Sequence, residues 1–232
     1  MTDTTPLFRI TRESLRDGSL NEAARRRMPP DMQVRTDAEI VTCLDHILAD
    51  HSPDQDIWLF GYGSLMWNPA MHFAEKRGGR VQGWHRKYCL WLEAGRGTPE
   101  CPGLMLGLDR GGAAAGALFR IPAAQVRDEL LLPFRRELFT HSYDPRWVSV
   151  ATRDGPVRAV TFVVNRTGSR YARRLDLELV AHHVATASGA LGSCMEYLRH
   201  TLEALAELGL DDRMLRQVYR ICLARAAANQ AC

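Results

Sequence analysis

Two short stretches carry residue types and spacing suited to chemistry. The first surrounds Glu137, which lies among apolar Phe134, Leu138 and Phe139. A carboxyl in apolar surroundings holds its proton to higher pH, which suits a proton shuttle near neutrality. Arg135 and Arg136 precede it. They could oppose that shift or hold a substrate carboxylate, and an ordinary surface ion pair is the plainer reading of the same residues. The second stretch is Phe60-Gly61-Tyr62-Gly63-Ser64-Leu65. Glycine lets a ligand approach the backbone closely. Successive exposed N–H groups in such a turn make an anion or oxyanion site. A plain strand-terminating turn fits equally well. The stretch is not a phosphate loop, lacking both Gly-Lys-Ser/Thr and Gly-x-Gly-x-x-Gly. Ser64 could serve as a nucleophile, yet Trp67, Asn68 and Pro69 follow where a Gly-x-Ser-x-Gly frame would continue.

Other reactive side chains form no comparable pattern. His85, His141, His182 and His183 are available bases for a Ser64 or cysteine hydrolase, but none sits in a nucleophile frame. His182 and His183 are adjacent on a predicted helix, so their side chains diverge by about 100° and do not readily share a metal. Cysteines stand at 43, 89, 101, 194, 222 and 232, without a Cys-x-x-Cys pair. Free thiols in a reducing cytoplasm are expected. Arg166, Arg170, Arg173 and Arg174 read as a solvated face rather than a nucleic-acid patch.

The elements that must position these residues fall into three zones. Residues 1–55 read as an extension with one helix. Pro29-Pro30 breaks the polar start, Thr36-Asp37 offers an N-cap, and Ile40, Val41, Leu44, Ile47 and Leu48 follow at helical spacing. The centre is β-rich, with strands expected at 57–62, 88–92, 104–108, 115–121, 146–152 and 157–164. Gly78-Gly79, Gly95-Arg96-Gly97, Gly111-Gly112 and Asp154-Gly155-Pro156 read as the turns between them. One helix interrupts the series, starting near Pro122. The last third is helical, with stripes at Leu175, Leu179, His183 and Ala187, at Leu198, Thr201, Leu202, Leu205 and Leu208, and at Met214, Val218, Ile221 and Cys222. Asp211 is a cap for the last. Strands followed by helices imply an α+β fold around a barrel or strongly curved sheet.

The 232 residues, 46% hydrophobic and 25% charged, suit a folded chain able to bury a full core. A net charge of +3 is too small to imply a nucleic-acid partner. Of the basic residues only Lys76 and Lys87 are lysine, a bias that a GC-rich genome explains. Residues 1–9 lack the apolar core of a secretion signal, and no run of about 18 apolar residues suggests a membrane span.

Taken together, the motifs resemble the ChaC-type, glutathione-specific γ-glutamyl cyclotransferases. Trp58-Leu59-Phe60-Gly61-Tyr62-Gly63-Ser64-Leu65-Met66-Trp67-Asn68-Pro69 looks like the family signature. Gly83-Trp84-His85-Arg86 with Cys89-Leu90, then Ala94-Gly95-Arg96-Gly97-Thr98-Pro99 with Pro102-Gly103, follow in family order. Arg136-Glu137 with Tyr143 and Pro145 resembles the segment holding the catalytic glutamate. Ser188-Gly189, Leu191-Gly192 and Tyr197-Leu198 resemble the late helical motif. The likeness runs from about Trp58 to Leu208 and departs at Cys194, where many members carry asparagine. It implies a γ-glutamyl cyclotransferase-like domain over 56–232. It implies Glu137 as general acid and base, with Leu59, Phe60, Gly61, Tyr62, Gly63, Ser64, Leu65 and Tyr143 at the substrate. The implied reaction is attack of the γ-glutamyl α-amine on its own γ-carbonyl, releasing 5-oxoproline. It needs no cofactor or metal, because nucleophile and electrophile share one molecule. Three rivals remain at this point: a cyclotransferase for other γ-glutamyl amines or dipeptides, a Ser64- or cysteine-dependent γ-glutamyl hydrolase or acyltransferase, and a γ-glutamyl-binding module without turnover.

Overall fold

Five strands close into a barrel in the order β1-β3-β2-β4-β5. The computed structural model describes residues 10–26, 28 and 32–230. Residues 1–9, Pro29-Pro30 and Cys232, to which expectations were attached, lie outside the described residues. β1 (Ile57–Gly61) pairs antiparallel with β3 (Gly103–Ile121) and parallel with β5 (Gly155–Val164) at Leu59 and Val160. β2 (Glu75–Leu92) and β4 (Tyr143–Thr152) complete the wall. Alternate residues of these strands point into the barrel and the rest meet the packed exterior, so the consecutive pairs Leu59-Phe60 and Leu118-Phe119 are both fully buried, as are Val150 and Val160. The Thr161 hydroxyl donates to the Phe60 carbonyl at 2.8 Å, so the polar atom inside this wall is satisfied.

β2 and β3 are far longer than expected, and two expected turns lie inside them. Gly78-Gly79 is mid-strand. A Cβ on Gly79 would meet Val150 Cγ1 at 2.6 Å, so this glycine serves close approach across the barrel. Gly111-Gly112 sits within β3 opposite the irregularity between Gln82 and Trp84, and both glycines have positive φ. Here glycine bends a long hairpin rather than ending a strand.

Helices pack around the barrel. α3 (Asp37–Leu48) starts at the expected Thr36 cap, and Thr36 and Glu39 form a reciprocal capping box. It buries Ile40, Leu44 and Ile47, and the Trp147 indole N–H donates to the Ile47 carbonyl at 3.1 Å. Two short helices precede it, α1 (Arg12–Arg16) and α2 (Ser19–Arg25), where one helix was expected in the whole segment. Both are too short to show apolar periodicity. α1 is instead closed by Thr11 and Ser14, whose side chains and backbone bond reciprocally. α4 (Val126–Glu137) begins after a single 3₁₀ turn at Ala123–Gln125, so Pro122 stands before the turn rather than inside the helix.

α5 (Leu177–Thr186), α6 (Cys194–Glu207) and α7 (Arg213–Gln230) stack on one another and on the barrel. The inward face of α5 is Val180, Ala181 and Val184, whereas Leu179 from the expected stripe is exposed. The cap of α7 is Asp212, which accepts from the Leu215 amide at 3.1 Å, one residue after the expected Asp211. β6 (Ser188–Gly189) and β7 (Gly192–Ser193) form a small hairpin between α5 and α6.

Candidate active site

The chain leaves β1 at Gly61, makes the turn Tyr62-Gly63, and enters a 3₁₀ turn over Ser64–Met66. The amides of Met66, Trp67 and Asn68 bond back to the carbonyls of Gly63 and Ser64. Among the described residues no acceptor takes the N–H groups of Gly63, Ser64 and Leu65. Such unspent donors are the usual property of a helical first turn. Buried Arg86 fixes the turn from behind: its Nε donates to the Tyr62 carbonyl at 2.7 Å, another nitrogen donates to the Ala115 carbonyl, and Asp212 pairs with it.

This turn forms one wall of a cavity of about 530 Å³. Glu137, the last residue of α4, forms another. Burial raises the Glu137 carboxyl above its ordinary value, and the Arg136 charge pulls part of that shift back. The C-terminal end of a helix disfavours a carboxylate as well, in the same direction as burial. Arg136 Nε lies 3.1 Å from Glu137 Oε1, and its Nη1 donates to the Asn68 carbonyl at 2.5 Å. Arg135 turns away to Asp37 and to the carbonyls of Leu15 and Arg16. Of the two arginines, Arg136 is the one that faces the cavity.

Three phenols surround the carboxyl. Tyr62, Tyr143 and Tyr197 line the cavity, and burial pushes each phenol above its ordinary value, with the Glu137 charge adding to the shift. They therefore stay neutral and act through hydrogen bonds. Tyr143 already donates to the Leu106 carbonyl at 2.6 Å. Tyr62, Gly63, Ser64, Leu65 and Tyr143 of the expected binding set line the cavity. Leu59, Phe60 and Gly61 do not. The side chains of Leu59 and Phe60 are spent in the core, which leaves Tyr62–Leu65 as the part of the motif that faces the cavity.

The family model described as ChaC-like protein matches residues 57–224. The chain belongs to this family. It is 41% identical over 162 residues to the glutathione-specific gamma-glutamylcyclotransferase of Escherichia coli (strain K12), covering 69% of this chain and 70% of that one. It is 30% identical over 149 residues to glutathione-specific gamma-glutamylcyclotransferase 1 of Mus musculus, covering 62% and 67%. A solved yeast gamma-glutamyl cyclotransferase specific to glutathione superposes with a TM-score of 0.67 at 18% identity, covering 73% of this chain and 96% of that one, which shows a shared fold.

Several cavity residues of this ChaC-like chain were not singled out as site residues from the sequence. Tyr197, from α6, presses its hydroxyl against the turn: a Cβ on Gly63 would lie 2.4 Å from it. Arg96 stands over the rings of Trp67 and Tyr197, 5.9 and 5.5 Å from their centroids, and its Nη1 donates to the Ser193 carbonyl at 2.8 Å. Arg170 donates to the Trp91 carbonyl at 2.8 Å. Burial lowers the pKa of both guanidinium groups. Tyr197 and Arg96 stand inside motifs that resemble the family, so the motifs themselves were the available signal. Arg170 had none, since it reads as one of four surface arginines.

Cys194 is buried and absent from the cavity wall. Its thiol donates to the Arg96 carbonyl at 3.2 Å, so it acts on the site through Arg96. His85, His141, His182 and His183 also lie off the cavity. His85 Nδ1 and His183 Nδ1 pair with the carbonyls of Gly111 and Pro102, at 3.0 and 2.8 Å. The histidine that does line the cavity, His200, pairs through Nε2 with Arg199 at 3.0 Å rather than with Ser64. Among the described residues no three metal-ligating side chains gather, and no helix is long and apolar enough to cross a membrane.

Proposed function

We propose that this chain is a γ-glutamyl cyclotransferase that degrades glutathione to 5-oxoproline and cysteinylglycine, with Glu137 as general acid and base. One observation carries the reading: a carboxyl with a raised pKa and a row of unspent backbone amides share a single cavity. The names of the Escherichia coli, mouse and yeast relatives agree with it. The substrate is a small molecule, and residues 56–232 carry the chemistry.

The γ-glutamyl α-amine arrives as an ammonium without a lone pair. Glu137 takes one of its protons, and the freed amine attacks the γ-carbonyl carbon. A C–N bond closes a five-membered ring, and negative charge moves to the carbonyl oxygen. The amides of Gly63, Ser64 and Leu65 are the donors suited to that oxyanion. The bond to the cysteine nitrogen then breaks as protonated Glu137 gives its proton to the leaving amine. The ring nitrogen loses its second proton to the regenerated carboxylate, which passes it to the same amine, so 5-oxoproline departs neutral at nitrogen and cysteinylglycine as its ammonium. Arg96, Arg136 and Arg170 provide cations for the substrate carboxylates. Folding the substrate so that amine and carbonyl meet is the remaining contribution, and it is entropic. The five cysteines among the described residues are all free, which suits a reducing cytoplasm as the site of the reaction.

Product analysis of glutathione turnover tests this. The wild type should release 5-oxoproline and not free glutamate, which would indicate a hydrolase. Glu137→Gln keeps size and polarity and should lower the rate by about 10²–10⁴-fold. Wild-type rates in that variant would remove Glu137 from the mechanism.

A further inference from the structure

The cavity has a wall that the family match does not include. Ile10 and Thr11 before α1, Leu20, Asn21 and Ala24 of α2, and Met28 after it line the same space as Glu137. The match to the family begins at residue 57. This wall is built in rather than resting on the surface. Arg12 pairs with buried Glu129 of α4, whose carboxylate also accepts the His72 amide at 2.8 Å. Asn68 Nδ2, next to the turn, donates to the Ile10 carbonyl at 3.0 Å. Arg135 donates to the carbonyls of Leu15 and Arg16 at 3.2 and 2.8 Å, and Arg25 stands 5.6 Å over the ring of cavity-lining Phe139. The ties on Asn68 and Arg135 fall on the residues flanking the turn and Glu137.

Asn21 is the polar member of this wall. It is 8% exposed, and its Nδ2 donates to the Arg135 carbonyl at 3.1 Å. That bond fixes the amide orientation and directs Oδ1 the other way. Among the described residues no donor reaches Oδ1. Oδ1 is not among the sealed polar atoms without a partner, so it is an oriented acceptor with access to the cavity and an unspent recognition group. Leu20, Ala24 and Met28 beside it are apolar and half-buried. A five-membered lactam fills only a small part of about 530 Å³, so most of the cavity remains for the rest of the substrate.

We propose that the segment carrying α1 and α2 is the specificity wall of this enzyme. It contacts the leaving portion of the γ-glutamyl substrate, with Asn21 Oδ1 accepting a peptide N–H and Leu20, Ala24 and Met28 limiting its length. The inference rests on the cyclotransferase reading above. The reacting half is held by the turn and Glu137, whereas the departing amine, with the residues attached to it, extends toward this wall.

Two full-length variants test it. Ala24→Phe fills the wall and should raise KM for glutathione about 10-fold or more, with kcat within about 3-fold of wild type. The same variant should weaken γ-glutamylcysteine, which lacks the final glycine, by less than about 3-fold, measured as turnover or as competition against glutathione. Leu20→Ala opens the wall and should improve turnover of glutathione S-alkylated with a longer chain relative to glutathione itself. Thermal melts accompany both, and the second variant decides the matter where the first does not fold. Unchanged KM in Ala24→Phe, equal weakening of both ligands, or an unaltered S-alkyl preference in Leu20→Ala would overturn the inference. A wild type that released no 5-oxoproline from any γ-glutamyl compound would instead defeat the functional reading on which it rests.

Discussion

The contact between Gly63 and Tyr197 gives the sharpest test of how the turn is held. A Cβ at Gly63 would stand 2.4 Å from the Tyr197 hydroxyl, whereas ordinary contact begins at 3.4 Å. Gly63→Ala must therefore separate the pair by about 1 Å. Tyr197 is 2% exposed and its ring is held edge-on against Trp67, 6.1 Å between centroids, so the turn beside the cavity gives way instead. Those amides are the proposed oxyanion donors, and a misplacement of that size costs roughly 10²-fold in rate. Removing the hydroxyl removes the clash, because the nearest ring carbon would then lie at 3.6 Å from the new methyl. Gly63→Ala should thus lose about 10²-fold in kcat, while Gly63→Ala with Tyr197→Phe should return to the level of Tyr197→Phe alone. The coupling is about 2.7 kcal/mol, two factors of ten at 1.36 kcal/mol each. The assay is 5-oxoproline release by wild type, both single variants and the double variant. A double variant whose loss equals the product of the single losses would refute the argument.

Two further variants probe neighbouring parts of the site. Asp212→Ala leaves the fully buried guanidinium of Arg86 without its partner and removes the cap of α7, so unfolding free energy should fall by about 3–5 kcal/mol in a denaturant titration. Burial lifts the Glu137 carboxyl above 4.5 and Arg136 draws it down. The basic form is therefore lost as pH falls through that raised value, and Arg136→Met should move the acid limb of kcat/KM to higher pH. The folded state holds this proton more tightly than the unfolded one. Its stabilisation is complete below about 4.5 and is lost as pH rises, so the Tm of Glu137→Gln should gain on wild type with increasing pH.

Glu137 was legible in the sequence for a specific reason. Its apolar neighbours alone do not distinguish a base from a surface acid, and the order of Arg136-Glu137 after the 60–65 motif is what singles it out as the proposed base. The helices were legible where amphipathic periodicity is strong, as in α3 and α6. Strand lengths were not, because glycine marks a turn and a close approach with the same letter. Gly79 and Gly111-Gly112 were read the first way and serve the second. The motifs holding Tyr197 and Arg96 marked them as family-like but did not place them against the turn. Their position depends on how α6 and the β6–β7 hairpin fold back over the turn, which is tertiary information. The wall from α1 and α2 was the least legible part. Its helices have 5 and 7 residues, and polar ties such as Arg12–Glu129 hold them rather than an apolar stripe.

The site separates charge, and the separation follows from where the two functional groups stand in their elements. Glu137 ends α4, where carbonyl groups point outward and burial denies it water, so its environment favours the protonated state. Gly63, Ser64 and Leu65 open a helical turn, where N–H groups point outward and negative charge is welcome. In the proposed cyclisation a proton moves toward the first group while negative charge grows beside the second. Both changes run toward what the backbone already prefers, with no reorganisation at the moment of reaction. Arg136 adjusts the balance: its charge favours the ionised form of Glu137, the form the proposed base needs, and its bond to the Asn68 carbonyl ties that adjustment to the segment that follows the turn. A base without this brake would hold its proton to higher pH, and a turn without Arg86 and Tyr197 against it would lose the direction of its donors.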